Sequence, residues 1–257
     1  MILTLDVGNT NITGGVFDDD KLIFQFRQTT HQNSSSDEIG IFLRSVLREN
    51  EVDPAKIHKV GICSVVPPIN YSLSNGIIKY FGVEPLFIQA GIKTGLKLKT
   101  ANPREIGADL IADSIGAVML HPDKNLIIVD LGTATTIHAV TKNKEYLGGS
   151  ILAGLKTSVH SLASGTSKLP HAEIKKPEFA CASGTIEAIQ SGIFFGTAGA
   201  IKEICKNIKN EVFADSSSYI VATGGFSKIF ENMNLFDEII PELTLLGVKQ
   251  AIELNNL

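Results

Sequence analysis

Apolar positions cluster at Ile2, Leu3 and Leu5, give way to a polar, glycine-bearing turn at Asp6-Val7-Gly8-Asn9-Thr10-Asn11, and resume from Ile12 to Phe17. The acidic tip Asp18-Asp19-Asp20 separates that run from a third, Leu22 to Phe26. The opening therefore reads as strand, polar turn, strand, tight turn, strand: a meander rather than a βαβ nucleotide-binding unit. Ser35-Ser36-Asp37-Glu38 has the pattern of a capping box and predicts an amphipathic helix carrying Ile39, Phe42, Val46 and Leu47. A strand follows at Val60 to Val66, and Pro67-Pro68 take the chain out of the sheet. Further elements are a helical stretch from Glu105 to about Leu120, a long small-residue helix from about Thr185 to Asn207, a strand at Tyr219 to Ala222 and a last helix after Pro241.

Laying Asp130 over Asp6 makes Ile127 to Tyr146 repeat the opening pattern without a gap. Val7-Gly8-Asn9 falls on Leu131-Gly132-Thr133, Asn11 on Thr135, Val16 on Val140, and the acidic tip on Lys142-Asn143-Lys144. One match of Asp-x-Gly could be chance. A match that also includes the preceding strand, the hydroxyl-rich turn and the charged hairpin points to duplication. The fold class expected is α/β, with two related domains over 1–117 and 118–257, mixed sheets and flanking helices.

Composition narrows the function. Of 257 residues 44% are hydrophobic and 19% charged, which is ordinary for a globular chain. A net charge of −4 without a basic run provides no electrostatic footprint for nucleic acid or an anionic membrane, so a small soluble partner is expected. The odd, scattered cysteines Cys63, Cys181 and Cys205 suit neither a disulfide frame nor a zinc site. Asp6 falls too early for a signal peptide, and no apolar run approaches the roughly 20 residues of a membrane span. A cytoplasmic protein is expected.

The turns at Asp6 to Thr13 and Gly132 to Thr136 combine glycine, backbone N–H groups and short hydroxyl or amide side chains, which are the materials of an anion-cradling nest. A carboxylate at each strand end repels phosphate but can hold a cation beside it through oxygen ligands. Either turn alone could equally be a tight turn with Asp in a favoured place; their duplication favours the nest. Gly149 to Gly154 followed by Leu155-Lys156-Thr157 falls one residue short of a Walker loop, because Leu155 separates the lysine from the glycine. Glu105, Asp109 and Asp113 are spaced for one helix face, where a carboxylate could be a general base for a hydroxyl acceptor or simply complement the helix dipole. Ala222-Thr223-Gly224-Gly225 ends an apolar strand with room for a flat ring against the backbone. Gly192, Gly196 and Gly199 share a helix face and are expected to permit close helix packing. No histidine pair has metal-ligand spacing.

The motifs DVGNTN at Asp6 to Asn11, EIGAD at Glu105 to Asp109, DLGTATT at Asp130 to Thr136, GGSI at Gly148 to Ile151, GT at Gly184-Thr185, ATGG at Ala222 to Gly225 and PELTLLG at Pro241 to Gly247 occur in the order seen in the type III pantothenate kinases. The chain resembles that family along its whole length. The resemblance implies duplicated actin-like domains of the sugar-kinase superfamily closing on ATP, and transfer of its γ-phosphate to the primary hydroxyl of pantothenate, the first step of coenzyme A synthesis. It further implies Asp109 as general base, and Asp6, Val7, Gly8, Asn9, Thr10, Asn11, Ile12 and Thr13 as the first phosphate loop, with Asp6 acting on Mg²⁺ through water. Thr133 becomes an ATP contact, Thr223, Gly224 and Gly225 the adenosine-side turn, and Asp130 the ligand of a monovalent cation, K⁺ or NH₄⁺. Gly107, Ala108, Asp109, Leu110 and Thr185 line the pantothenate site of a homodimer. Two positions depart from the family pattern: Leu110 stands where the family carries an arginine, and Ala153 where it carries proline. If that arginine anchors pantothenate or orients Asp109, another cation must offset its absence here, for which Arg104 and Lys156 are the candidates; the alternative is that Leu110 packs into the helix interface. Two other functions are open to such a chain: a superfamily kinase for a different small hydroxyl or carboxylate substrate, and a non-catalytic nucleotide-binding accessory protein.

Overall fold

The computed structural model describes residues 1–214 and 216–256, and the chain divides into two compact units. The first comprises Met1–Leu96, Asn102–Met119 and Leu243–Leu257. Its meander is β1 (Ile2–Val7), β2 (Asn11–Asp18) and β3 (Lys21–Thr29), all antiparallel. Helix α1 (Ser36–Glu49) starts at the predicted capping box: the Glu38 N–H donates to Ser35 Oγ at 3.2 Å, and the Ser35 N–H to Glu38 Oε2 at 2.7 Å. Strand β4 (Lys59–Ser64) returns parallel to β1. Pro67 and Pro68 do more than leave the sheet. They occupy the first turn of a second helix, α2 (Pro67–Phe81), where their missing N–H groups cost nothing. Gly82, at φ +68°, ends that helix in the left-handed conformation. The short β5 (Leu86–Phe87) completes a sheet of order β3-β2-β1-β4-β5. Leu3, Leu5, Leu43, Leu47, Ile62 and Leu73, all at or near zero exposure, form its core.

Helix α3 spans Ala108–Leu120. Glu105 belongs to a separate 3₁₀ turn, Pro103–Glu105, capped by the Asn102 side chain, so the expected helical face of Glu105, Asp109 and Asp113 loses its first member. The second unit comprises Lys97–Ala101 and Leu120–Glu242. It contains β6 (Lys97–Leu98), the meander β7 (Asn125–Leu131), β8 (Ala134–Val140) and β9 (Glu145–Ala153), then α4 (Leu155–Gly165), α5 (Thr185–Val212), β10 (Ser218–Thr223) and β11 (Glu238–Ile239). Its sheet order is β11-β10-β7-β8-β9-β6. Apart from the added β6 this is the first sheet again, with β7 and β10 parallel as β1 and β4 are. Both meanders also share a bulge, between Val16 and Phe17 and between Ala139 and Val140.

The duplication is not gapless at the turns. Val7 pairs with Ile12 but Leu131 with Thr135, so the second of the two turns is one residue shorter. The hairpin at the other end, where Thr141 bonds Glu145, is one longer than that closed by Asp18 and Lys21. Asn11 therefore corresponds to Ala134, and Val16 to Ala139.

The last helix, α6 (Leu243–Leu254), belongs to the first unit and packs on β1 and β4. The expected contiguous domains, 1–117 and 118–257, thus differ from the units found, because α6 returns to α3. A Cβ on Gly247 would collide with the Ala112 carbonyl, and one on Gly116 with the Leu243 carbonyl. Two helices that approach backbone to backbone need glycine at the crossing. The Thr244 hydroxyl donates to Asp113 Oδ1 at 2.6 Å in the same contact. No helix among the described residues is long and apolar enough to cross a membrane.

Candidate active site

Asp6 on β1 pairs with Thr13 on β2, and Thr13 with Arg27 on β3. Register partners share a face, so these three side chains project on one side of the first sheet. The turn between β1 and β2 is closed by the Gly8 N–H donating to the Asn11 carbonyl at 3.0 Å. Thr30 braces it: its N–H donates to the Thr10 carbonyl at 3.0 Å and its hydroxyl to the Gly8 carbonyl at 2.6 Å. Both bonds occupy carbonyl oxygens, the groups that would otherwise repel an anion lodged in the turn.

Asp109 lies in the first turn of α3. Its Oδ1 accepts the Leu110 N–H at 2.8 Å, and a Cβ at Gly107 would collide with that same oxygen, so the glycine is what lets the carboxylate sit there. Burial raises the Asp109 pKa, opposed by the N–H groups of Leu110 and of Asp109 itself. Asp6 is pushed up to about 7, chiefly by burial, then by the Asp109 carboxylate, with the Arg27 guanidinium acting the other way. Two carboxylates and one guanidinium therefore share an electrostatic neighbourhood within the first unit. Burial, with like-charge crowding added at Asp6, makes these carboxylates more basic than free ones and invites a cation.

The second unit repeats the turn with different bracing. Gly132 N–H donates to the Ala134 carbonyl at 3.0 Å, Gly154 N–H to the Thr133 carbonyl at 3.1 Å, and the Thr157 hydroxyl to that carbonyl at 2.7 Å. Gly154 precedes α4, and a Cβ there would collide with the carbonyls of Gly132 and Thr133. Asp130 is flanked in the sheet by Thr136 on β8 and Thr223 on β10. The hydroxyls of both threonines are buried with no hydrogen-bond partner among the described residues. Gly224 follows at φ +86°, and a Cβ on it would collide with Asp130 Oδ1. The positive φ and the close approach each exclude other residues.

The predicted site residues thus fall into two groups: Asp6 to Thr13 with Gly107, Ala108, Asp109 and Leu110 in the first unit, and Asp130, Thr133, Thr185 and Thr223 to Gly225 in the second. Thr185 opens α5 and, with Ala153, Ser158, Leu162, Ala188 and Gly192, lines an open, mainly apolar groove of about 710 Å³. Gly192, Gly196 and Gly199 do not seat another helix as expected: among the described residues nothing lies within 4 Å of a Cβ built on any of them. Leu110 is half-buried, and of the candidate cations Arg104 is exposed on the 3₁₀ turn while Lys156 lies over the Phe226 ring at 5.7 Å. Arg27 and Thr30 were not singled out by sequence. The signal existed in the hairpin register, which places Arg27 beside Thr13.

A family model described as type III pantothenate kinase matches residues 2–207. A type III pantothenate kinase of Legionella pneumophila is 49% identical over 255 residues, 99% of each chain. One of Elusimicrobium minutum is 48% identical over 255 residues, again 99% of each. Among solved structures, a Campylobacter jejuni protein described as a Baf family transcriptional activator superposes with a TM-score of 0.60 at 21% identity, over 99% of this chain and 100% of that one. A ROK family glucokinase from Streptomyces griseus does so at 0.51 and 13% identity, over 99% of both. The fold is that of the actin-like sugar kinases.

Proposed function

The chain belongs to the type III pantothenate kinase family and phosphorylates pantothenate with ATP in coenzyme A synthesis, and from that premise we propose how its residues divide the work. Asp109 is the general base. The observation that carries this role is a carboxylate of raised pKa, held in the first turn of α3 by Gly107 and the Leu110 N–H and electrostatically coupled to Asp6. It takes the proton of the pantothenate hydroxyl as that oxygen bonds the γ-phosphorus and the bond to ADP breaks. Gly107, Ala108, Leu110 and Thr185 hold the acceptor.

Asp6 to Thr13 and Thr133 cradle the ATP phosphates, and Thr223, Gly224 and Gly225 face the adenosine. The raised pKa of Asp6 beside Asp109 suits a site that receives Mg²⁺, held by Asp6 through water. When bound, that ion neutralises phosphate charge. Asp130, with the unpartnered hydroxyls of Thr136 and Thr223 on either side, is an all-oxygen donor set fit for K⁺ or NH₄⁺. Among the described residues no group of three His, Cys, Asp or Glu side chains could hold a metal ion by itself, in keeping with cations shared with phosphate. The open glycine face of α5, with Ile186 and Phe195 exposed nearby, supports a homodimer. Cys63, Cys181 and Cys205 form no disulfide among the described residues, which suits the reducing cytoplasm.

ADP release with pantothenate, measured beside a panel of sugars and small alcohols, tests the reading. Release dependent on pantothenate alone is expected. Release driven by a sugar, or nucleotide binding without release, would replace it with one of the two other functions.

A further inference from the structure

We propose that Arg27 grips the transferring phosphoryl group, a role that rests on the kinase reading above. Arg27 lies on β3, in register with Thr13 of the first phosphate hairpin, which is itself in register with Asp6. Strands are spaced about 4.8 Å apart, so an arginine two strands away can lean over Thr13 toward the carboxylate. The guanidinium is exposed and makes no hydrogen bond or ion pair among the described residues, yet it is the cation that acts on Asp6. A forked cation that is not committed to a protein partner, beside a turn built for phosphate, is available to an incoming anion.

Its position also selects which anion. Helix α3, which carries Asp109, is held through the Gly116 and Gly247 crossing by α6, and α6 packs on β1 and β4. Arg27 comes instead from β3, the outer strand of the phosphate hairpin. The acceptor hydroxyl must meet Asp109, so Arg27 and Asp109 address different partners in the reaction. The phosphoryl group is the partner on the hairpin side. The guanidinium gives up no proton; it stabilises charge on the equatorial oxygens while Asp109 takes the hydroxyl proton.

The experiment uses full-length Arg27→Met and Arg27→Lys. Calorimetric titration with Mg·ATP and with Mg·ADP is combined with turnover on pantothenate and on pantothenol, the analogue in which an alcohol replaces the carboxylate. For Arg27→Met, kcat is expected to fall by about 100-fold or more, and ATP affinity by about tenfold, while ADP affinity and the KM for pantothenate hold steady. Arg27→Lys should recover part of the loss, because it keeps the charge and loses the fork. Near-normal kcat in Arg27→Met, or equal losses of ATP and ADP affinity, would overturn the proposal. So would a defect confined to the KM for pantothenate and absent with pantothenol, which would assign Arg27 to the acceptor carboxylate. A wild-type protein inactive on pantothenate would remove the parent reading, and the ATP-against-ADP comparison would still judge Arg27.

Discussion

Acid should destabilise this protein through His138. The side chain is 1% exposed on β8, its ring tilted against Tyr146 with centroids 5.5 Å apart, and its ring nitrogens have no protein partner among the described residues. Burial pushes its pKa down from 6.5 to about 3. The unfolded chain therefore binds a proton below pH 6.5 that the folded chain refuses until about pH 3, and stability is lost as pH falls through that window. Each pH unit is worth ~1.4 kcal/mol, so acidification to pH 5 removes about 2 kcal/mol. That is a sizeable share of the 5–15 kcal/mol by which domains of this kind are roughly stable. Asp6, with its pKa raised to about 7, acts with the opposite sign, since its folded form takes up a proton first on acidification. Comparing wild type with His138→Leu cancels that contribution. In urea titrations at pH 7.5 and pH 5, wild type should lose about 2 kcal/mol more than the variant. Parallel losses in the two proteins would refute the reasoning.

Gly107→Ala should cut kcat by at least about tenfold with little change in ATP affinity, because the added methyl displaces the Asp109 carboxylate and general-base effects run to about 100-fold or more; steady-state kinetics and nucleotide titration check both parts. Turnover should be far higher in K⁺ or NH₄⁺ than in Na⁺, and Asp130→Ala should abolish both the activity and the cation dependence; equal rates in sodium and potassium buffers would remove the Asp130 assignment. Gly247→Ala should destabilise the first unit by roughly 1–3 kcal/mol, read as a lower urea midpoint, because a Cβ there meets the Ala112 carbonyl.

What was legible in the sequence was local or repeated. The meander strands, the Ser35 capping box and the duplicated Asp-x-Gly turns follow from alternation and turn chemistry over a few residues, and the structure has them where expected. Helix α2 was missed because Pro67-Pro68 end a strand and begin a helix by the same property, an absent N–H. The placement of α6 depends on Gly116 meeting Gly247, a contact between residues far apart in sequence that no local pattern encodes. Gly192, Gly196 and Gly199 are the converse case: small residues on one face suggest a packing surface, and among the described residues nothing packs there. Arg27 carries no signal in the sequence because it sits among alternating exposed positions of an edge strand, and only the register across β1, β2 and β3 brings it into line with Asp6.

Transfer of a phosphoryl group to pantothenate with Asp109 as the base is tested most directly by one comparison. ADP release is measured with ATP, Mg²⁺, K⁺ and pantothenate for wild type and for Asp109→Asn, alongside ATP binding by both. Pantothenate-dependent release by wild type is expected, with a loss of about 100- to 10,000-fold in the variant and nearly unchanged ATP affinity. An Asp109→Asn protein that turns over at close to the wild-type rate would contradict it, leaving Asp109 as no more than a carboxylate complementing the start of α3.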